Sequence, residues 1–77
     1  MGYLRLESIR PEKNRFRWYT VGWWPTLWDT WIVLCEWGRT GQEPRGVRLR
    51  ECATLDVALM LAAAVIELRL RHGYIVQ

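Results

Sequence analysis

Near the start of the chain apolar and polar side chains take turns, Leu4 and Leu6 against Arg5 and Glu7. That period of two predicts a half-buried strand over Tyr3 to Ile9, stopped by Pro11, with Pro11 to Asn14 forming a turn. Arg15 to Val21 is rich in aromatic and β-favouring residues and predicts a second strand, broken at Gly22 and followed by the bulky run Trp23, Trp24, Pro25, Thr26, Leu27, Trp28. Over Thr30 to Trp37, Trp31, Val33, Cys35 and Trp37 share one face while Ile32 and Leu34 take the other. Both faces are apolar, so this third strand is expected to be covered twice: by a helix on one side and by the tryptophan loop, a partner chain or a ligand on the other. Gly38 and Gly41 are expected to bracket a turn, and Pro44 and Gly46 to bound a second irregular stretch. Val47 and Leu49 then alternate with Arg48 and Arg50 in a fourth strand that puts these arginines on one face.

After Thr54 the pattern changes to that of a helix. Thr54 is a candidate N-cap, Asp56 falls in the first turn, and Ala, Leu and Met dominate through Leu70. Arg69, Arg71 and His72 occupy the last turn and Gly73 supplies a stop. The segment is apolar nearly all round until Glu67, which predicts that other elements enclose much of it. Tyr74 to Val76 is long enough for one short final strand. The pattern gives a small α+β domain spanning residues 1–77, with no internal repeat and no linker.

Composition narrows the classes. Hydrophobic residues make up 51% of the 77, too many for a disordered segment, and six tryptophans can each bury a large surface. The longest apolar run, Val57 to Ile66, is about half of the roughly 20 residues a membrane-crossing helix needs. The opening MGYLRLESIRPEK intersperses charges among its apolar residues and does not read as a secretory signal, so the expected compartment is the cytoplasm. Cys35 and Cys52 have no CxxC spacing and are read as reduced core thiols, with no metal site and no cofactor implied. The formal charge is +3, and of eleven basic residues only Lys13 is a lysine. Arginine suits bidentate phosphate contacts and stacking on rings, so the bias leans toward an anionic partner. His72 is the only histidine and Ser8 the only serine, and no motif places a nucleophile beside a base, so an enzyme is not expected.

At Trp37, Gly38 and Arg39 the chain resembles the WGR family. Three residues recur by chance, but here the context agrees on both sides. Upstream, Asn14, Arg15 and Phe16 open an aromatic strand, which is followed by the apolar strand leading into the motif. Downstream come Thr40 and Gly41, a basic strand, the helix led by Thr54, and the ending Arg71, His72, Gly73, Tyr74. The likeness runs from about Leu4 to Tyr74 and is nearest to the short bacterial form, which includes proteins similar to molybdate-metabolism regulators. It implies a curved antiparallel sheet of four to five strands packed on one C-terminal helix. In poly(ADP-ribose) polymerases the WGR module contacts the backbone near a DNA end and relays the break signal. The resemblance therefore implies that Trp37 lies against a sugar, that Arg39 contacts phosphate or base, and that Gly38 permits close approach. This chain lacks the catalytic and zinc-finger regions of those polymerases.

Two functions follow as expectations. In the first, the domain binds DNA without sequence preference, at ends or nicks, through Trp37, Gly38, Arg39, Arg45, Arg48 and Arg50, with Arg15 and Arg17 widening the patch. In the second, it is a protein-interaction or homo-oligomerising module that docks through Trp23, Trp24 and Trp28 while the arginines keep it soluble.

Overall fold

The computed structural model describes residues 1–77. Four long strands, β1 (Gly2–Arg10), β2 (Arg15–Pro25), β3 (Trp31–Arg39) and β4 (Pro44–Cys52), precede one helix, α1 (Leu55–Arg71), and a two-residue strand, β5 (Ile75–Val76). They form an antiparallel sheet in the order β4-β3-β2-β1-β5. The fold is thus a small α+β arrangement of five strands and one C-terminal helix, as the pattern predicts.

The connections follow local chemistry. Between β1 and β2, Pro11 opens a single 3₁₀ turn and Asn14 closes it with a left-handed φ of 52°, a conformation that asparagine tolerates. Gly41, at φ 81°, turns the chain between β3 and β4. Thr54 caps α1 by accepting a hydrogen bond from the Val57 N–H at 3.2 Å, and Gly73 leaves the helix at φ 90°.

Three expectations from the sequence need correction. Gly22 does not break β2, which runs on to Pro25, because the Trp24 ring fills the space a Cβ would take there and keeps the strand packed. Gly38, Pro44 and Gly46 do not bound irregular stretches; they lie within β3 and β4, paired across a bulge at Trp37/Gly38. Nor is the helix enclosed: Val57 is 48% exposed and Met60 73%. Only one stripe of α1, Ala58, Leu61, Ala62, Val65 and Ile66, meets the sheet, at the three-and-four spacing of a single helix face.

The core lies between that stripe and one side of the sheet. Leu6, Val21 and Val33 are fully buried there, with Tyr19, Cys35, Cys52 and Tyr74 around them. Alanine at positions 58 and 62 lets the helix axis come close. Because neighbouring residues of a strand point to opposite sides, the pairing register assigns the remaining side chains. Trp37, Arg39, Arg48 and Arg50 share the helix side, whereas Trp18, Trp24, Leu34, Glu36 and Leu49 stand on the other, which no element covers. No helix is long and apolar enough to cross a membrane.

Candidate nucleic-acid interface

On the helix side, beyond the last turn of α1, the sheet is left uncovered at one end and forms an open groove of about 680 Å³. The register explains which side chains meet there. Tyr19 of β2 pairs with Trp37 of β3, and Trp37 in turn pairs with Gly46 of β4. The Trp37 ring stacks beside Tyr19 with centroids 5.7 Å apart and planes 9° from parallel. It lies over Gly46 so closely that a Cβ at that position would sit 2.2 Å from the ring, so Gly46 is the seat of the tryptophan. Tyr74 meets Tyr19 edge-on at 6.3 Å and extends the aromatic floor.

Guanidinium groups lie against that floor. Arg69, at the end of the buried stripe of α1, stands 4.9 Å above Tyr19 and 6.0 Å from Tyr74. Arg15 stands 5.5 Å above Tyr74 and donates to the His72 carbonyl at 3.1 Å. Such contacts hold a cation in place without neutralising it. The Nε atoms of Arg15 and Arg69 are buried with no partner, a costly condition for a charged donor. Lys13, Arg17, Arg39, Arg45 and Arg48 complete the rim, so seven cationic side chains line the groove, and no carboxylate does.

Arg39 is fixed from behind. Its guanidinium donates to the Asn14 side-chain oxygen at 3.2 Å and to the Asn14 carbonyl at 3.4 Å, and it stacks 5.3 Å from the Phe16 ring. The fork's remaining donors are available to a ligand. Beneath the floor, burial pushes the Tyr19 hydroxyl up from 10.0 to about 12, with the adjacent Cys35 thiol adding to the rise. Burial likewise raises Cys35. Both groups are therefore neutral at physiological pH and leave the positive field of the groove undiminished.

The residues singled out in the sequence sort unevenly. Trp37, Gly38, Arg39, Arg45 and Arg48 come together in the groove, and Arg15 and Arg17 join them. Arg50 does not: it pairs with Val33, further along β4. Gly38 is buried, and the nearest neighbour of an added Cβ would be the Trp18 ring at 3.1 Å on the opposite side of the sheet. Its lack of a side chain thus makes room for Trp18. Trp23, Trp24 and Trp28 do not form one loop. Trp23 packs against the core over Gly2, Trp24 lies on the open side over Gly22, and Trp28 stands 81% exposed at the hairpin tip.

Sequence reasoning passed over Lys13, Tyr19, Arg69 and Tyr74 as site residues. Arg69 did carry a signal, since it continues the stripe Ala58, Leu61, Ala62, Val65, Ile66, and a cation on the core-facing side of a helix must end over the sheet. Tyr74 carried none, because its place depends on the chain turning back at Gly73. No family model, characterised protein or solved structure matches the chain.

Proposed function

We propose that the domain binds nucleic acid in this groove, gripping the sugar-phosphate backbone of DNA without sequence preference at ends or nicks. The observation that carries the reading is the lining itself: seven cationic side chains and no carboxylate around the row Trp37, Tyr19 and Tyr74. A polyanion with a flat group every few ångströms matches both parts. Phosphates pair with the guanidinium forks and release their counterions, while a sugar or unstacked base lies on the aromatic floor. An end or nick offers an unstacked base face, which an intact duplex does not. The resemblance to WGR modules at Trp37, Gly38 and Arg39 supports the same reading. In it the domain is a binding module that carries out no bond-breaking step.

Titration of the purified chain against blunt duplex, nicked duplex, single strand and RNA at two salt concentrations tests this, with tryptophan fluorescence as the readout. Binding is expected to be strongest to ended or nicked DNA and to weaken steeply with salt. Arg39→Ala is expected to lower affinity about tenfold and to reduce the salt slope by about one. Absence of binding to every nucleic acid at low salt would reject the proposal. Unchanged affinity in the variant would remove Arg39 from the contact.

A further inference from the structure

The sheet lays a strand along one of its edges and leaves the other open. β5 pairs with β1 at Leu6 and Glu7, and the Gln77 N–H donates to the Arg5 carbonyl at 2.9 Å, so the tail of the chain runs along that edge. β4 ends the strand order on the far side and has β3 as its one neighbour. Every second residue of β4 therefore turns its N–H and carbonyl outward, as a row of donors and acceptors that another strand can pair with. We propose that this edge takes an antiparallel strand from a partner protein, an extended segment whose side chains alternate between acidic and apolar.

The two faces of the edge define that chemistry. On the helix side Arg48 and Arg50 are exposed, and neither has an ion pair within the chain. On the open side Val47 and Leu49 are 59% and 57% exposed, with the carboxylate of Glu51 next in line. A strand laid beside β4 sets its own side chains directly opposite these. Strict alternation then carries acids to the two arginines and apolar groups to Val47 and Leu49. A wholly acidic segment would set a carboxylate against Leu49, and a wholly apolar one would leave both guanidinium groups unpaired.

A second copy of the chain does not fit the edge. Centring β4 on an antiparallel copy of itself sets Arg48 against Arg48, and moving the register one step toward the C-terminal end sets Arg48 against Arg50. The arginines thus turn away a like strand and admit an acidic one. The backbone is suited to pairing: Pro44 stands at the first position of β4, the bulge lies beside it at Trp37/Gly38, and residues 47–51 pair with β3 without a shift. Antiparallel addition continues the pattern of every other pair in the sheet.

An acid opposite Arg48 engages a cation that also lines the groove, so a docked strand lowers affinity for nucleic acid. That consequence rests on the proposed function, whereas the docking does not. The test uses the end-blocked peptide Thr-Lys-Glu-Val-Glu-Val-Thr. Laid antiparallel from Cys52 to Gly46, it puts its lysine by Glu51, its glutamates by Arg50 and Arg48, and its valines by Leu49 and Val47. Titrated into the full chain, it should shift the β4 amide resonances and slow hydrogen exchange at every second one of them. The same residues in the order Glu-Glu-Lys-Val-Val-Thr-Thr should bind at least about tenfold more weakly. Methylating alternate backbone nitrogens of the peptide should abolish binding in one phase and spare it in the other, because only one set faces β4. Arg50→Glu should weaken binding about tenfold, and a peptide with lysine in place of its first glutamate should restore it, an outcome that a general loss of folding does not give. No shift at millimolar peptide, equal binding of the reordered peptide, equal effects of the two methylation phases, or a charge swap without rescue would overturn the docking. Peptide binding by a chain that ignores nucleic acid would leave the edge standing and reject the groove.

Discussion

The two sides of this sheet are built from the same four strands, and they differ in nearly everything else. On the helix side a dry core of Leu6, Val21 and Val33 grades into a groove where arginines lie on aromatic rings. On the open side apolar residues stand in solvent among Glu7, Glu36 and Glu51, with Arg5 as the cation beside them. The sorting of charge has a physical consequence. With these carboxylates on the far side of the sheet, none sits within pairing distance of the groove cations, so the positive field faces outward uncompensated. The lesson is that alternation along a strand sets which residues share a side, while the helix decides which side is core. It ends before covering that side completely, and the gap is the groove.

Perturbations that act on one side alone sharpen the contrast. The largest effect is expected from Leu6→Ala, which should cost about 2–5 kcal/mol in denaturant unfolding, because the side chain is fully buried and its loss leaves a cavity. Leu49→Ala, on the open side, should cost a single copy no more than about 0.5 kcal/mol. Equal costs would break the distinction between a covered and an uncovered side.

Alkaline titration comes next. Tyr19 is raised from 10.0 to about 12 in the fold, so the folded state favours the neutral hydroxyl. The stability this contributes, roughly 2–3 kcal/mol by linkage, is fully present below pH 10 and is lost between pH 10 and pH 12 as the unfolded chain ionises first. Tyrosinate absorbance should show one late step that disappears in Tyr19→Phe. If that step persists in the variant, it belongs to another tyrosine.

Two glycines allow a matched pair of substitutions. Gly46→Ala must push the Trp37 ring off its seat, and Gly22→Ala must push the Trp24 ring. Each should cost about 1–3 kcal/mol of stability, but only the first should also alter nucleic-acid binding. Arg48→Ala should then weaken that binding about tenfold while Arg50→Ala, outside the groove, changes it much less. Similar losses for both would mean that the whole edge of β4 is contacted. The smallest effect is expected at Glu67, whose 2.6 Å pair with Arg71 lies on the exposed outer side of the helix. Glu67→Gln should shift stability by only about 0.3–0.5 kcal/mol and leave groove and open face alone.

Much of the architecture was legible from local rules. Period-two alternation located β1 and β4, the change to helical spacing located α1, and Thr54 and Gly73 marked its ends. The rules failed where packing overrode punctuation. Gly22 reads as a break, yet the Trp24 ring covers it and β2 continues. Gly38 and Gly46 read as loop residues, yet each makes room for a tryptophan from a neighbouring strand, a pairing that depends on register. For the groove, Trp37, Arg39, Arg45 and Arg48 were singled out from motif and clustering and do line it, whereas Arg50 differs from Arg48 only by where β3 places it.

The sequence by itself determined the strands, the helix, its cap and the excess of arginine, because these depend on neighbours one to four residues away. Only the tertiary structure decided which side of the sheet the helix covers, that Tyr19 and Tyr74 floor a groove with Arg69 above them, and that no helix or strand lies over the opposite side. Those outcomes come from residues as far apart as Arg15 and Tyr74, brought together by a register that no short window of sequence contains.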